Sequence, residues 1–215
     1  MRTHLIWKWF APAILVGHTT AKILQINAGI VLDLFLFNLI IFAAIVSLVR
    51  APLHSDPFAI SFSALAIASW GVGSLYSSLA QFLNFNANSL LFSNIAYSLF
   101  YPFAFLAIPR ILGRRQRLRL LELLDAAIFG LGLSSIVTAL ILIQFISNIP
   151  GDSTSAFFAV LYPVCDIALV VIVIVSAVVS GLSTRSVLLI TGVLVFAITD
   201  FYFLWAQITN SYQFG

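Results

Sequence analysis

Ten residues near the middle of the chain, RILGRRQRLR at 110–119, contain half of its ten lysine and arginine residues. These are Arg110, Arg114, Arg115, Arg117 and Arg119. Long apolar runs flank the stretch on both sides. Over the whole chain 62% of residues are hydrophobic and 8% are charged, against about 25% charged in a typical soluble domain. So little charge cannot give the chain a water-compatible surface, and it is predicted to fold as an integral membrane protein with the lipid bilayer as its surroundings.

The apolar runs predict an all-α, polytopic protein with about seven transmembrane helices, because about 20 apolar residues are needed to cross a bilayer. The whole chain, 1–215, is interpreted as a single transmembrane domain with no soluble domain. The predicted helices lie near residues 5–24, 29–49, 58–82, 90–108, 121–147, 156–180 and 186–209. The first could instead be a cleaved signal peptide, but Trp7, Lys8 and Trp9 are typical of a membrane interface and favour a retained helix.

The arginine-rich stretch also predicts orientation, because short basic loops are retained in the cytoplasm. If residues 110–119 form a cytoplasmic loop, alternation of seven helices places the amino terminus inside and the carboxy terminus outside. Nine of the ten basic residues then lie on or near the cytoplasmic side, and Lys22 is the exception. The predicted location is the plasma membrane, which the chain would cross several times.

Two carboxylic acids fall inside predicted spans, where charged side chains are costly and often functional. Asp166 and Asp200 each lie nine or ten residues from the end of their helix that is predicted to face outwards. At 1.5 Å per residue this is about 15 Å, which places both near the midplane of the bilayer. Together with Tyr162, Tyr202 and Gln207 they could line an outward-opening polar pocket. The alternative is that each Asp bonds to a hydroxyl of a neighbouring helix and only holds the helices together.

No cofactor, metal site or catalytic residue is predicted. The three histidines, His4, His18 and His54, offer no pair at i, i+4 spacing, and a solvated or interfacial imidazole is the favoured interpretation of each. No nucleophile, base and orienting group occur together in a recognisable motif, so this segment is predicted not to be an enzyme. The net charge of +3 arises from the arginine-rich stretch and does not indicate nucleic-acid binding.

A weak internal repeat relates residues 73–81 to residues 199–207 at an offset of 126, with Tyr, Ala and Gln identical in register. Both segments belong to helices predicted to run from inside to outside, which permits a parallel repeat of four helices. The repeat, together with the two carboxyl groups, keeps open the alternative of a small transporter or channel.

Several segments carry a resemblance to a known family. They are VLDLFLFNLIIFAAIVSLVR, LFYPFAFLAIPRILGRR, LLELLDAAIFGLGL, VLYPVCDIALVVIVI and FAITDFYFLWAQITNSYQFG. The most distinctive residues of these segments are Tyr101-Pro102, Leu124-Asp125-Ala126, Tyr162-Pro163 with Asp166, and Asp200 with Tyr202. Over about residues 28–215 the chain resembles the multi-helix membrane region at the amino end of many actinobacterial signalling proteins. Those proteins typically carry a diguanylate cyclase (GGDEF) domain, often followed by a cyclic-di-GMP phosphodiesterase (EAL) domain.

This resemblance implies a membrane-embedded sensory or anchoring module of a bacterial signalling protein. The sequence contains no GGDEF, EAL, PAS or kinase motif, so the module is expected to lack its catalytic domain, as a fragment, a split gene or a stand-alone remnant. The expected partners are the lipid bilayer, a cytoplasmic signalling domain or protein, and further copies of the chain. A membrane protein with a purely structural or interaction role is the remaining alternative.

Overall fold

The computed structural model describes residues 2–24, 29–50, 56–83, 88–113, 121, 124–125, 128–136, 139 and 153–209. Within these ranges all regular secondary structure is helical and no strand occurs, which confirms the predicted all-α class for this part of the chain. The α-helices are α1 (Arg2–Ile23), α2 (Phe37–Val49), α3 (Pro57–Leu83), α4 (Asn88–Ser98), α5 (Phe100–Leu112), α6 (Ser153–Ser180) and α7 (Thr184–Ile208). A π-helical segment, Val31–Leu36, leads directly into α2, and residues 128–136 are also helical.

Four stretches in the described ranges are long and apolar enough to cross a membrane. They are Pro57–Ala80, Leu91–Leu112, Ala156–Ser180 and Thr184–Ala206. These match four of the seven predicted spans. The apolar helix Leu34–Val49 is shorter, and α1 is long enough but contains several basic residues and histidines. Most of the predicted span at 121–147 lies outside the described residues.

The predicted helix at 90–108 is divided in the structure. α4 ends at Ser98, Leu99 forms a turn, and α5 begins at Phe100. Pro102 explains the division, because it has no N–H to donate to the carbonyl of Ser98 and its ring would clash with that carbonyl in a continuous helix. Pro102 itself lies in the first turn of α5, where proline is tolerated.

The predicted arginine loop at 110–119 begins later than the sequence indicated. Arg110 lies in the last turn of α5, and the helix continues to Leu112, which is buried. The N–H of Gly113 still donates to the carbonyl of Pro109, at 2.8 Å. The helix continues because Ile111 and Leu112 extend the apolar face. The other four arginines, at positions 114, 115, 117 and 119, lie outside the described residues.

The chain divides into two compact units, residues 1–107 and residues 108–214, and the boundary falls within α5. In the first unit consecutive helices are neighbours: α1 packs on α2, α2 on α3, and α3 on α4. In the second unit α6 packs on α7, and residues 128–136 approach α6.

Within the second unit α6 is the central element and α7 is more peripheral. Leu169 and Val173 of α6 are fully buried, and apolar residues are buried on more than one side of this helix. Gly130 permits a close approach on one of these sides, because a Cβ atom there would lie 3.3 Å from the Cα of Ala168. By contrast, α7 exposes a broad apolar face that includes Leu188 and Ile198.

Candidate functional site

The turn between α6 and α7 fixes these two helices as a hairpin. Gly181 has φ of +85°, the left-handed conformation that glycine adopts readily after a helix, and its N–H donates to the carbonyl of Val178 at 3.3 Å. Two residues later, the hydroxyl oxygen of Ser183 accepts a hydrogen bond from the backbone N–H of Ser186 at 3.2 Å. This bond caps the first turn of α7. The chain therefore reverses within three residues, and α6 and α7 run side by side.

The hairpin brings the two predicted carboxyl groups to a similar level. Asp166 precedes Ser180, the end of α6, by about four helical turns, or about 21 Å at 1.5 Å per residue. Asp200 follows Thr184, the start of α7, by about four and a half turns, or about 24 Å by the same rise. Since the helices pack together from a common turn, both aspartates lie in the same layer of the second unit.

Asp166 is fully buried, with none of its surface exposed. Tyr162 precedes it by four residues and therefore lies on the same face of α6, where its ring stacks on Phe158 with centroids 5.9 Å apart. Ala168, which contacts residues 128–136, lies about 200° around the helix from Asp166 at 100° per residue. The aspartate and the close helix contact thus occupy different faces of α6. Pro163, three residues before Asp166, is fully buried as well.

Asp200 is half-buried and belongs to the inner face of α7. It follows the buried Ala197 by three residues, so the two share one face of the helix. Tyr202 is turned the other way: it is 65% exposed, and its ring lies 5.9 Å from that of Trp205. Of the five residues proposed for a pocket, the structure places Asp166, Tyr162 and Asp200 on interior faces and Tyr202 on the outer face. The side chain of Gln207 lies outside the described set.

A second cluster, in the first unit, was not expected from the sequence. Four rings from four helices form a chain: His18 to Phe37 at 5.7 Å, Phe37 to Trp70 at 5.8 Å, and Trp70 to Tyr97 at 6.0 Å between centroids. We call His18, Phe37, Trp70 and Tyr97 the aromatic chain. Pairs at these separations add about 0.5–1.5 kcal/mol each beyond the burial of their surface. The aromatic chain therefore connects α1, α2, α3 and α4 by side-chain packing.

His18 is half-buried, which contradicts the expectation of a solvated imidazole, while an interfacial position stays a prediction. Its Nε2 atom is buried and has no hydrogen-bond partner among the residues that the structure describes. The helical period of α1 turns His18 towards Phe37 of α2, while Val16 and Thr19 face outwards. The sequence does contain signals for this cluster: Asn38 interrupts the apolar run FLFNLII, and Trp70 is followed closely by two glycines.

The described residues contain no group of three or more His, Cys, Asp or Glu side chains that could hold a metal ion. The arrangement in the second unit is instead a pair of carboxyl groups within apolar helices, which can bind or exchange a proton, accept hydrogen bonds, or hold helices together. The chain matches no family model, and neither curated proteins nor solved structures show significant similarity to it.

Proposed function

We propose that this chain is a membrane-embedded sensory or anchoring module of a bacterial signalling system of the diguanylate cyclase and phosphodiesterase type, with no catalysis of its own. The observation that carries the proposal is the fully buried carboxyl group of Asp166 within the apolar stretch Ala156–Ser180. A carboxyl group in such a position costs free energy, and intramembrane ionisable residues commonly occur where a protein senses, conducts or couples.

The hydrogen bonds of exposed Thr and Ser hydroxyls support insertion into a membrane. The exposed hydroxyls of Thr19, Thr20 and Thr199 donate to the carbonyl four residues earlier in their own helices, at 2.9, 2.7 and 2.8 Å. The hydroxyl of Ser135 does the same at 2.8 Å. Such hydroxyls need no water, so these helix faces are compatible with lipid. For this reason we include α1 among the proposed spans, although its composition is less apolar.

We further propose a plasma-membrane protein with the arginine-rich stretch in the cytoplasm, the amino terminus inside and the carboxy terminus outside. The support is the distribution of basic residues described above. Arg185, which follows the α6–α7 turn, is exposed and falls on the same proposed side as Arg110 at the end of α5.

The link to cyclic-di-GMP signalling rests on the sequence resemblance. Three of the residues that carry the resemblance are buried in the structure: Tyr101, which is only 3% exposed, Pro163 and Asp166. Buried positions of this kind determine how helices pack. Four other residues of the resemblance are exposed: Pro102, Leu124, Asp125 and Tyr202.

The proposal is tested by deleting the gene in its host and measuring cellular cyclic-di-GMP, followed by complementation with the wild-type chain, Asp166→Asn and Tyr202→Phe. We expect deletion to change the nucleotide level and the wild type to restore it. Asp166→Asn should reach the membrane in normal amount without restoring it, whereas Tyr202→Phe, altered on the outer face, should restore it. An unchanged cyclic-di-GMP level on deletion would rule out the signalling role.

A second function, a small transporter or channel, is favoured by one specific observation: Asp166 and Asp200 lie in the same layer of the α6–α7 hairpin. Two carboxyl groups at one level could carry a proton or a cation between them. Purified protein in liposomes with an imposed proton gradient would then dissipate the gradient, and Asp166→Asn would abolish the flux. Liposomes as tight as protein-free controls would exclude proton transport.

A further inference from the structure

A cavity of about 560 Å³ lies where the end of α5 meets the turn between α6 and α7. Its wall is formed by Ile111 and Leu112 of α5 and by residues 180–186, all of which belong to the second unit. Three of the four described stretches that are long and apolar enough to cross a membrane have an end in this wall, at Leu112, Ser180 and Thr184. In a bilayer that these stretches span, the cavity therefore lies at the level of the lipid headgroups.

The polar groups of the wall are mainly hydrogen-bond donors. The hydroxyl oxygen of Ser183 accepts from the N–H of Ser186, and the N–H groups of Thr184 and Arg185 lie in the first turn of α7, where no carbonyl of the helix can reach them. The side chain of Arg185 is exposed and positively charged. No acidic residue is among the nine described residues that form the wall. Together with the positive end of the α7 dipole, these groups favour an anion that accepts several hydrogen bonds.

Ser180, the last residue of α6, contributes a hydroxyl to the same wall. Its oxygen is buried and makes no hydrogen bond within the described part of the chain. The hydroxyls of Ser183 and Ser186, by contrast, bond to each other at 2.9 Å. A buried hydroxyl without a partner costs free energy. An acceptor oxygen bound at this part of the wall would remove that cost.

The arginine-rich stretch begins at this cavity. Arg110 is exposed in the last turn of α5, directly before Ile111 of the wall. Four more arginines follow within the next nine residues of the sequence, so that residues 110–119 contain half of the basic residues of the chain. Basic clusters directly next to a membrane-spanning helix attract anionic lipids. The structure thus brings Arg185, which is distant in sequence, to the point where this stretch begins.

Exposed apolar side chains adjoin the polar wall. Leu182, at the tip of the turn, is 74% exposed. Val178 of α6 and Val187 of α7, close to the turn, are also exposed. A small soluble anion would use none of this apolar surface. A lipid would use both parts, with its phosphate at the wall and its acyl chains along the exposed faces of α6 and α7.

We propose that the cavity between the end of α5 and the α6–α7 turn binds the phosphate headgroup of an anionic lipid. Arg185 and the N–H groups of the first turn of α7 hold the phosphate oxygens, and the hydroxyl of Ser180 donates to one of them. In the proposed orientation the site faces the cytoplasmic leaflet, which carries the anionic lipids. The proposal rests on the proposed membrane insertion of the chain and does not depend on signalling or on proton transport.

Native mass spectrometry of the full chain in mild detergent counts the lipids that remain bound. The wild type should retain one phosphatidylglycerol in preference to phosphatidylcholine, whose headgroup has no net charge. Arg185→Gln should weaken the binding of phosphatidylglycerol by about tenfold or more, the loss expected when a hydrogen bond from a charged donor is removed. The matched control is Arg50→Gln, which removes the same charge from an exposed residue at the end of α2 and should bind as the wild type does.

Ser180→Ala provides a second variant that does not alter charge. It should weaken lipid binding without lowering the melting temperature of the lipid-free protein, because it removes a hydroxyl that has no partner there among the described residues. Equal binding by Arg185→Gln and Arg50→Gln would overturn the proposal, and so would equal retention of the two lipids. Displacement of phosphatidylglycerol by millimolar inorganic phosphate would contradict a lipid as the ligand. The amount of chain in the membrane fraction of cells, measured separately, distinguishes failure of this site from failure of membrane insertion.

Discussion

Gly73→Ala is expected to destabilise the protein although it improves the helix-forming tendency of the sequence. The new Cβ atom would lie 2.8 Å from Cδ1 of Tyr97 and 3.0 Å from the carbonyl oxygen of Ser93. Neither atom can move easily, because the Tyr97 ring packs against Trp70 and the carbonyl belongs to the backbone of α4. α3 and α4 must therefore separate slightly, and the aromatic chain must adjust with them.

A comparison with Gly192→Ala in α7 separates the steric cost of the added methyl group at Gly73 from its gain in helix propensity. At Gly192 nothing lies within 4 Å of the added atom, so this variant gains the helix propensity of alanine, up to about 1 kcal/mol, at no steric cost. Gly73→Ala makes the same gain and also suffers overpacking, which typically costs about 1–3 kcal/mol. The two variants should thus differ in free energy of unfolding by about 1–3 kcal/mol, with Gly73→Ala the less stable.

Thermal unfolding of both variants in the same mild detergent, followed by circular dichroism, measures the difference. For a chain of this size 1 kcal/mol shifts Tm by about 2–4 °C, so Gly73→Ala should melt at least about 2 °C below Gly192→Ala. Equal shifts in the same direction would show that α3 and α4 are not as close at Gly73 as the structure indicates.

Three further outcomes are expected. Ser183→Ala should lower the free energy of unfolding by about 0.5–2 kcal/mol, measured by the same melting assay, because it removes the hydroxyl that caps α7. Gly130→Val should destabilise by about 1–3 kcal/mol, whereas Gly132→Val, where nothing lies within 4 Å, should not show this overpacking. In an otherwise cysteine-free chain, Asp166→Cys should not react with a water-soluble maleimide until the protein is unfolded, because position 166 is fully buried; reaction in the folded protein would favour an open pocket at position 166.

The sequence predicted best where hydrophobicity alone determines structure. The helix at 156–180 was found at Ser153–Ser180, because an unbroken apolar run favours a helix wherever backbone groups cannot reach water. The depth of the two aspartates in the membrane, which rests on helical rise alone, stays a prediction. Which face each residue occupies was harder to predict: Asp166 and Tyr202 were proposed for one pocket, yet one is fully buried and the other is 65% exposed.

The features missed from the sequence depend on contacts between distant segments. The π-helical segment Val31–Leu36 shows no distinctive composition, and only Asn38 gives a local hint of it. His18 contacts Phe37, and Phe37 contacts Trp70, only when three helices have packed together. Pro102 disfavours a continuous helix through Ser98 and indicates a kink there, but Pro109 and Pro163 lie inside continuous helices, so the sequence did not show which proline divides a helix.

The central claim, that the α6–α7 hairpin is embedded in a membrane, is tested most directly by reporter fusions on either side of α6. A phosphatase that is active only outside the cytoplasm is fused after residue 152 in one strain and after Leu182, in the exposed α6–α7 turn, in another. We expect activity from the fusion after residue 152 and none from the fusion after Leu182, because in the proposed topology α6 crosses the bilayer with its carboxyl end in the cytoplasm. Equal activity at the two positions would show that α6 does not cross the membrane, and activity only after Leu182 would contradict the proposed orientation.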